Sequence, residues 1–185
     1  MKVLGICCSP RKKGNTASII KQTLKGAAAQ GAKTELVYLY ELNFKGCRAC
    51  LRCKTKGICA FKDDLQSLCK KVAESDAIIF GSPIYYDDVN GAARCSMERI
   101  LFPKLSQDLE PVIDRIRNTV LVFCQGHPNL RIYREIAEKT RQVFTDFGFN
   151  VIGTIMTAGG PTGQEAARQA NVMKRAEALG KRLSA

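Results

Sequence analysis

The chain has 185 residues, 45% hydrophobic and 25% charged, with nine cysteines and a formal net charge of +12. That length and composition describe one folded domain, residues 1–185, and exclude a disordered or fibrous chain. No apolar run is long enough to span a membrane, and the basic residues form no stripe with interleaved aromatics, so neither a membrane nor nucleic acid is an expected partner.

The pattern opens with an apolar strand at residues 3–8 that stops at Ser9-Pro10. With Met1-Lys2-Val3 leading straight into that strand, there is no export signal to read, and the expected compartment is the cytoplasm. A basic loop, Arg11-Lys12-Lys13-Gly14-Asn15, follows, and a helical pattern starts at Thr16 with Ile19, Ile20, Leu24, Ala27 and Ala28 on one face. A helix start presents unpaired N–H groups and a positive dipole end, which suits a phosphate. Ser9, Asn15 and Thr16 add polar donors, and Arg11, Lys12 and Lys13 add charge. The loop lacks the Gly-Lys-Ser/Thr ending of an NTPase loop and lacks G-x-G-x-x-G, so the expected phosphate belongs to neither ATP nor a dinucleotide in its usual pose. The competing reading makes Gly14-Asn15-Thr16 only a turn with a helix cap.

Residues 33–39 read as a second strand after Gly31, and residues 64–72 as a short helix with Leu65, Leu68 and Val72 on one side. The run 76–81 is continuously apolar after Asp76, as a buried parallel strand is, and ends in a loop from Ser82 to Gly91. A helix over about 92–101 stops before Pro103. Residues 118–125 form the fourth strand, closed by Gly126-His127-Pro128. Ile132, Ile136, Val143 and Phe147 mark the next helix, ended by Gly148. The fifth strand, 149–157, runs into Ala158-Gly159-Gly160-Pro161, and a last helix covers about 163–183. Strict alternation predicts an α/β fold: an open five-stranded parallel sheet with helices on both faces, its ligand at the carboxyl ends of the strands. The loops after strands one, three and four all leave from that edge.

From Tyr40 to Lys62 regular patterning fails and Cys47, Cys50, Cys53 and Cys59 cluster. Three thiolates within seven residues let one loop wrap one face of an iron–sulfur cube, whereas structural zinc more often uses two separated pairs. Gly46 and Gly57 allow close backbone approach to the sulfurs, and Arg48, Arg52, Lys54 and Lys56 offset a cluster's negative charge. Zinc, disulfides and free thiols stay open as alternatives. Without an export signal, the cysteines point to reduced thiols, metal or redox chemistry rather than a disulfide frame. Cys7, Cys8 and Cys124 sit in strand patterns and read as small core residues, while Cys69 and Cys95 fall on helices without spacing signal.

Ser82-Pro83-Ile84-Tyr85-Tyr86 offers what a flavin ring needs: an apolar or aromatic plane and backbone groups along a polar edge. A tight turn with its tyrosines in a dimer contact is the alternative. Gln125, Gly126 and His127 form a third candidate wall, though a lone histidine is more often a solvated loop residue.

Taken together, Ser9-Pro10-Arg11, Gly14-Asn15-Thr16, the cysteine run closing on Lys62-Asp63-Asp64, and Gly81 to Tyr86 resemble the NADPH-dependent FMN reductase family, most of all its iron–sulfur flavoprotein branch. The resemblance implies a flavodoxin-like fold with strand order 2-1-3-4-5 and a cysteine-rich insertion at about 42–63. It implies FMN, its phosphate held by Ser9, Arg11, Asn15 and Thr16 and its ring against Pro83, Ile84, Tyr85 and Tyr86. It also implies a [4Fe–4S] cluster on Cys47, Cys50, Cys53 and Cys59, and a homodimer or homotetramer. Asp87-Asp88 departs from the small residues that often follow the paired tyrosines in relatives, which puts direct hydride donation by NAD(P)H in doubt. The expected activity is electron transfer between a reduced carrier, ferredoxin-like and acidic, or NAD(P)H, and a small-molecule or protein acceptor. Two alternatives stand beside it: an NAD(P)H-dependent FMN or quinone reductase without a cluster, and a non-enzymatic zinc- or thiol-bearing interaction protein.

Overall fold

A computed structural model describes residues 1–101, 117–159 and 163–184. The apolar runs become β1 (Lys2–Cys7), β2 (Lys33–Tyr38), β3 (Ala77–Tyr85), β5 (Arg117–Gln125) and β6 (Phe149–Ala158), parallel and in the order β2-β1-β3-β5-β6. The short β4 (Asp88–Val89) folds back antiparallel on β3 and is the one strand that the sequence pattern did not announce.

Side chains alternate across the sheet. Leu4, Ile6, Ile78, Phe80, Leu121 and Phe123 face α3 (Asp64–Glu74), α4 (Gly91–Ile100) and α5 (Arg134–Asp146). Val3, Cys7, Ala77, Ile79, Val120 and Val122 face α1 (Asn15–Ala28) and α6 (Ala170–Leu183), while the short α2 (Arg52–Lys56) lies within the cysteine loop. Each fully buried Leu, Ile or Phe contributes roughly 1.5–3 kcal/mol. A methyl added at Gly26 would strike the backbone of Glu177, and one at Gly180 the carbonyl of Thr23, so α1 and α6 touch backbone to backbone. Arg117, fully buried at the start of β5, donates from Nε to Ser75 O at 2.8 Å and also to Ala73 O, placing a cation at the carboxyl end of α3.

Two expectations change. The stretch expected to leave the sheet at Ser82 instead extends β3 to Tyr85, because Ser82 and Pro83 still lie in register with Phe123 and Cys124. Gly81 accepts from Cys8 N–H on the β1 side, so Pro83, two residues on, turns its missing donor to the same side, where β1 has ended. The turn proper is Tyr86-Asp87, both at positive φ (47° and 58°), the conformation of a two-residue hairpin. The last helix begins at Ala170, not Gly163, since Glu165–Arg168 is a 3-10 turn whose Ala166 N–H goes to Asn15 Oδ1 at 2.8 Å. The expected breaks at Pro103 and Gly160-Pro161 lie outside the described residues.

Candidate functional site

At the carboxyl edge of the sheet lies an open cleft of about 560 Å³. The β1–α1 loop supplies Ser9, Arg11, Gly14, Asn15 and Thr16; the end of β3 supplies Pro83, Ile84 and Tyr85; the end of β5 supplies Cys124, Gln125 and Gly126. Gly159 and Gly163 close the far side. These elements meet because β1, β3 and β5 are adjacent and end at one level.

The loop is shaped by its own backbone. Gly14 N–H donates to Arg11 O at 2.9 Å, and Ser9 Oγ accepts from Arg11 N–H at 3.2 Å. The first amide of α1, on Asn15, donates to Gly163 O at 2.7 Å, and the amides of Thr16 and Ala17 have no acceptor among the described residues. A methyl at Gly159 would sit 2.5 Å from Asn15 Nδ2, and one at Gly163 would collide with the Arg11 guanidinium, so both glycines keep the cleft open. Gln125 is buried and fixed, its Nε2 donating to His127 O at 2.7 Å and Asn129 O at 2.8 Å. Its Oε1 then has no donor among the described residues. Burial pushes the Cys124 thiol up to about 12 against the opposing hydrogen bond of Thr16.

Not every residue singled out in the sequence reaches this cleft. Ser82 Oγ donates to Pro83 O at 2.8 Å and accepts from Asn90 N–H at 3.1 Å, inside the protein. Tyr86 stands wholly in solvent at the hairpin tip, 104% exposed. Lys12 pairs with Glu41 and lies over the Tyr38 ring, away from the loop mouth. His127 accepts from Asn129 N–H at 3.1 Å through Nδ1 and its carbonyl helps orient Gln125.

All four clustered cysteines line a second cavity, of about 580 Å³, together with Leu51, Phe61, Glu98 and Arg99. Its neck is tied by acidic side chains. Asn43 N–H donates to Asp64 at 2.7 Å, Lys45 N–H to Asp63 at 3.2 Å and Cys47 N–H to Glu98 at 3.2 Å. Arg99 grips Asp63 through both nitrogens, at 2.6 and 2.7 Å, and donates to Lys45 O at 2.8 Å. The Arg48 and Arg99 guanidinium groups both lie over the Phe61 ring, 5.1 and 5.2 Å from its centroid. Arg99 Nε is buried without a hydrogen-bond partner among the described residues. Burial opposes its charge, yet Asp63 and Cys59 outweigh that and hold it protonated.

The thiols feel one another. Burial raises Cys53, helped by Cys59, Cys47 and Cys50, while the Arg52 amide and then the Arg48 side chain lower Cys50. Ala49 N–H donates to Cys47 Sγ at 3.4 Å. Ala49 and Leu51 hold positive φ, 54° and 57°, which folds the loop tightly between successive cysteines. Among the described residues no three His, Cys, Asp or Glu side chains converge on one point as a single metal ion requires; the four thiols ring a cavity instead.

Sequence reasoning passed over Asn90, Arg99, Gly159 and Gly163. Asn90 is buried and joins three elements: Nδ2 donates to Cys8 O at 2.5 Å, and Oδ1 caps α4 by accepting from Ala93 N–H at 3.0 Å. An Asn-Gly pair ahead of a helical pattern was its signal.

The family model described as NADPH-dependent FMN reductase matches residues 1–162. An iron–sulfur flavoprotein of Methanocaldococcus jannaschii is 38% identical over 99 residues, 54% of this chain and 51% of the relative. One of Archaeoglobus fulgidus is 37% identical over 101 residues, 55% of this chain and 46% of the relative. The chain thus spans about half the length of the curated relatives it matches. Among solved structures, an NAD(P)H:quinone oxidoreductase from Methanothermobacter marburgensis superposes with TM-score 0.76 at 19% identity, over 100% of this chain and 98% of that one. An archaeal flavodoxin does so with TM-score 0.61 at 11% identity, over 100% and 96%. These two likenesses establish a flavodoxin-like fold.

Proposed function

The chain belongs to the NADPH-dependent FMN reductase family, and from that premise we propose a flavin-dependent oxidoreductase with FMN in the open cleft and a [4Fe–4S] cluster in the cysteine cavity. The observation that carries this reading is the paired cavities: three separate loops close on one, and all four clustered cysteines on the other.

The cleft fits a mononucleotide. The unpaired Thr16 and Ala17 amides and the Arg11 cation suit its phosphate. Gly14, Gly159 and Gly163 leave the space, and Gln125 Oε1 offers a buried acceptor to a ligand N–H or hydroxyl. Pro83, Ile84 and Tyr85 form an apolar wall with Gly126 opposite. Asn15 bonds the 163–166 segment and Thr16 bonds Cys124, so their side chains shape the loop and leave phosphate contact to the backbone. When bound, FMN supplies hydride and single-electron chemistry at one ring.

The cysteine cavity fits a cluster better than a lone zinc ion, because its thiols surround a space. When present, a [4Fe–4S] cluster supplies one-electron transfer. The Arg99 charge, locked by Asp63, counters thiolate charge from inside the protein, and Arg48 and Arg52 do so from the surface. No acid–base residue is needed for such a transfer.

The remaining parts of this reading rest on the same site. The electron donor is an acidic ferredoxin-like carrier or NAD(P)H, and the acceptor a small molecule or protein. Exposed Tyr40, Leu51, Ile58, Tyr85 and Tyr86 suit a second copy, hence a homodimer or homotetramer. No helix among the described residues is long and apolar enough to cross a membrane. The cytoplasmic location belongs to the same proposal.

The test is anaerobic reconstitution with FMN, iron and sulfide, followed by visible spectroscopy and metal analysis. Flavin bands with iron and sulfide matching one cluster per chain are expected, and Cys50→Ser is expected to lose the iron. Colourless protein that takes up no FMN in excess overturns the flavin assignment. Flavin without iron, or full iron in Cys50→Ser, overturns the cluster and leaves the cluster-free reductase.

A further inference from the structure

At the β6 edge of the sheet, an open groove of about 1090 Å³ runs along the outer side of β6 between α5 and Arg175 of α6. β6 ends the strand order, so among the described residues no strand covers that edge. The floor of the groove is the β6 edge, with half-buried Val151 and Met156 packed on the α5 face, half-buried Ile152 on the α6 face, and Leu130 41% exposed at one end. Among the described residues the rim carries Arg131, Arg134, Arg141 and Arg175 against a single carboxylate, Glu138. Arg134, Glu138 and Arg141 share one stripe of α5. Arg141 Nε donates to Glu138 at 2.8 Å, and Arg175 Nη2 to Thr154 O at 2.8 Å. The guanidinium groups of Arg131 and Arg134 have no acceptor among the described residues.

We propose that this groove docks an extended acidic segment of a partner protein, its carboxylates on the arginine rim and its alternate apolar side chains on the floor. Val151 to Met156 spans about 16 Å at strand rise, room for five or six extended residues. A second copy seated groove to groove is the wrong occupant, since it would set one arginine rim against another. Nucleic acid would use the rim but not an aliphatic floor, and among the described residues no aromatic lines the groove to stack a base. Two features guard the edge against indiscriminate strand pairing: the bulge where β6 skips from Val151 to Gly153 against β5, and the Arg175 bond to Thr154 O. An acidic visitor offers Arg175 a carboxylate for a neutral carbonyl, a bond about twice as strong. The groove begins at Leu130, directly after the 127–129 loop that fixes Gln125, so an occupant sits beside the open cleft.

The experiment uses the full chain and a labelled ten-residue peptide of alternating Glu and Val, followed by fluorescence anisotropy. Binding is expected to weaken with salt, and at least tenfold in both Arg131→Glu/Arg134→Glu and Arg141→Glu/Arg175→Glu. A Lys-for-Glu peptide is expected not to bind. Thermal unfolding of the variants checks that these exposed substitutions leave the fold intact. Unchanged peptide affinity in the variants overturns the proposal, as does an equal loss in the control Lys54→Glu/Lys56→Glu. Self-association or duplex DNA binding that disappears with the same arginine substitutions assigns the groove to those occupants and overturns it too. None of these readouts needs a bound flavin or cluster, so failure here is separable from failure of the redox reading.

Discussion

Replacing Asp63 with Ala removes the carboxylate that holds the cysteine loop to α4. The Arg99 side chain is 1% exposed and Asp63 16%, and two bonds of 2.6 and 2.7 Å join them. Breaking a buried pair from one side costs about 3–5 kcal/mol, because the remaining charge stays buried. Partial exposure of Asp63 argues for the lower end, about 3 kcal/mol, including the lost acceptor for Lys45 N–H. For a chain of this size that lowers the melting temperature by roughly 6–12 °C. Urea unfolding of wild type, Asp63→Ala, Arg99→Met and the double variant closes a cycle. The double variant is expected to be more stable than Asp63→Ala, since no orphaned cation remains. Arg99 also pulls the Asp63 carboxyl below its ordinary value of 3.8. The pair's contribution is therefore complete above about pH 4 and is lost as pH falls through the depressed folded value, a dependence that Asp63→Ala removes. A loss under about 1 kcal/mol, or a double variant no better than the single, refutes the reasoning.

Asn90→Ala is expected to cost about 2–3 kcal/mol, because it removes the cap of α4 and the donor to buried Cys8 O at once; a melting curve within 2 °C of wild type speaks against it. Gly159→Ala places a methyl 2.5 Å from Asn15 Nδ2 and is expected to weaken FMN uptake more than tenfold, read by flavin fluorescence quenching; unchanged uptake would show that the cleft has room to spare. Burial holds Cys124 at about 12, so iodoacetamide at pH 8 is expected to spare it in native protein and label it after denaturation; mass spectrometry showing early native labelling contradicts this.

Strand identity was legible because continuous apolar runs bounded by Gly, Ser and Pro leave few other readings for buried parallel strands. The β1–α1 loop was legible for the same local reason, an abrupt change of period at Ser9-Pro10. Less visible was the fate of side chains whose partners lie far along the chain. Asn15 looked like a phosphate donor but reaches across 151 positions to Ala166. Ser82 looked like a wall residue but bonds Asn90. Arg99 looked like an ordinary helix cation, and only the packing of α4 against the cysteine loop makes it buried. The hairpin at Tyr86-Asp87 was missed because a tyrosine at positive φ carries no turn signature.

The glycine contact between α1 and α6 has a consequence for biosynthesis. The mouth of the first loop is finished by Gly163 and Ala166, and the segment bearing them is held down by a helix that ends at Leu183. At roughly 5–20 residues per second, a nascent chain spends many seconds with its opening β–α unit exposed before that helix leaves the ribosome. A chain that stops short of Ala170 is therefore expected to lack the support that holds Gly163 and Ala166 against the first loop.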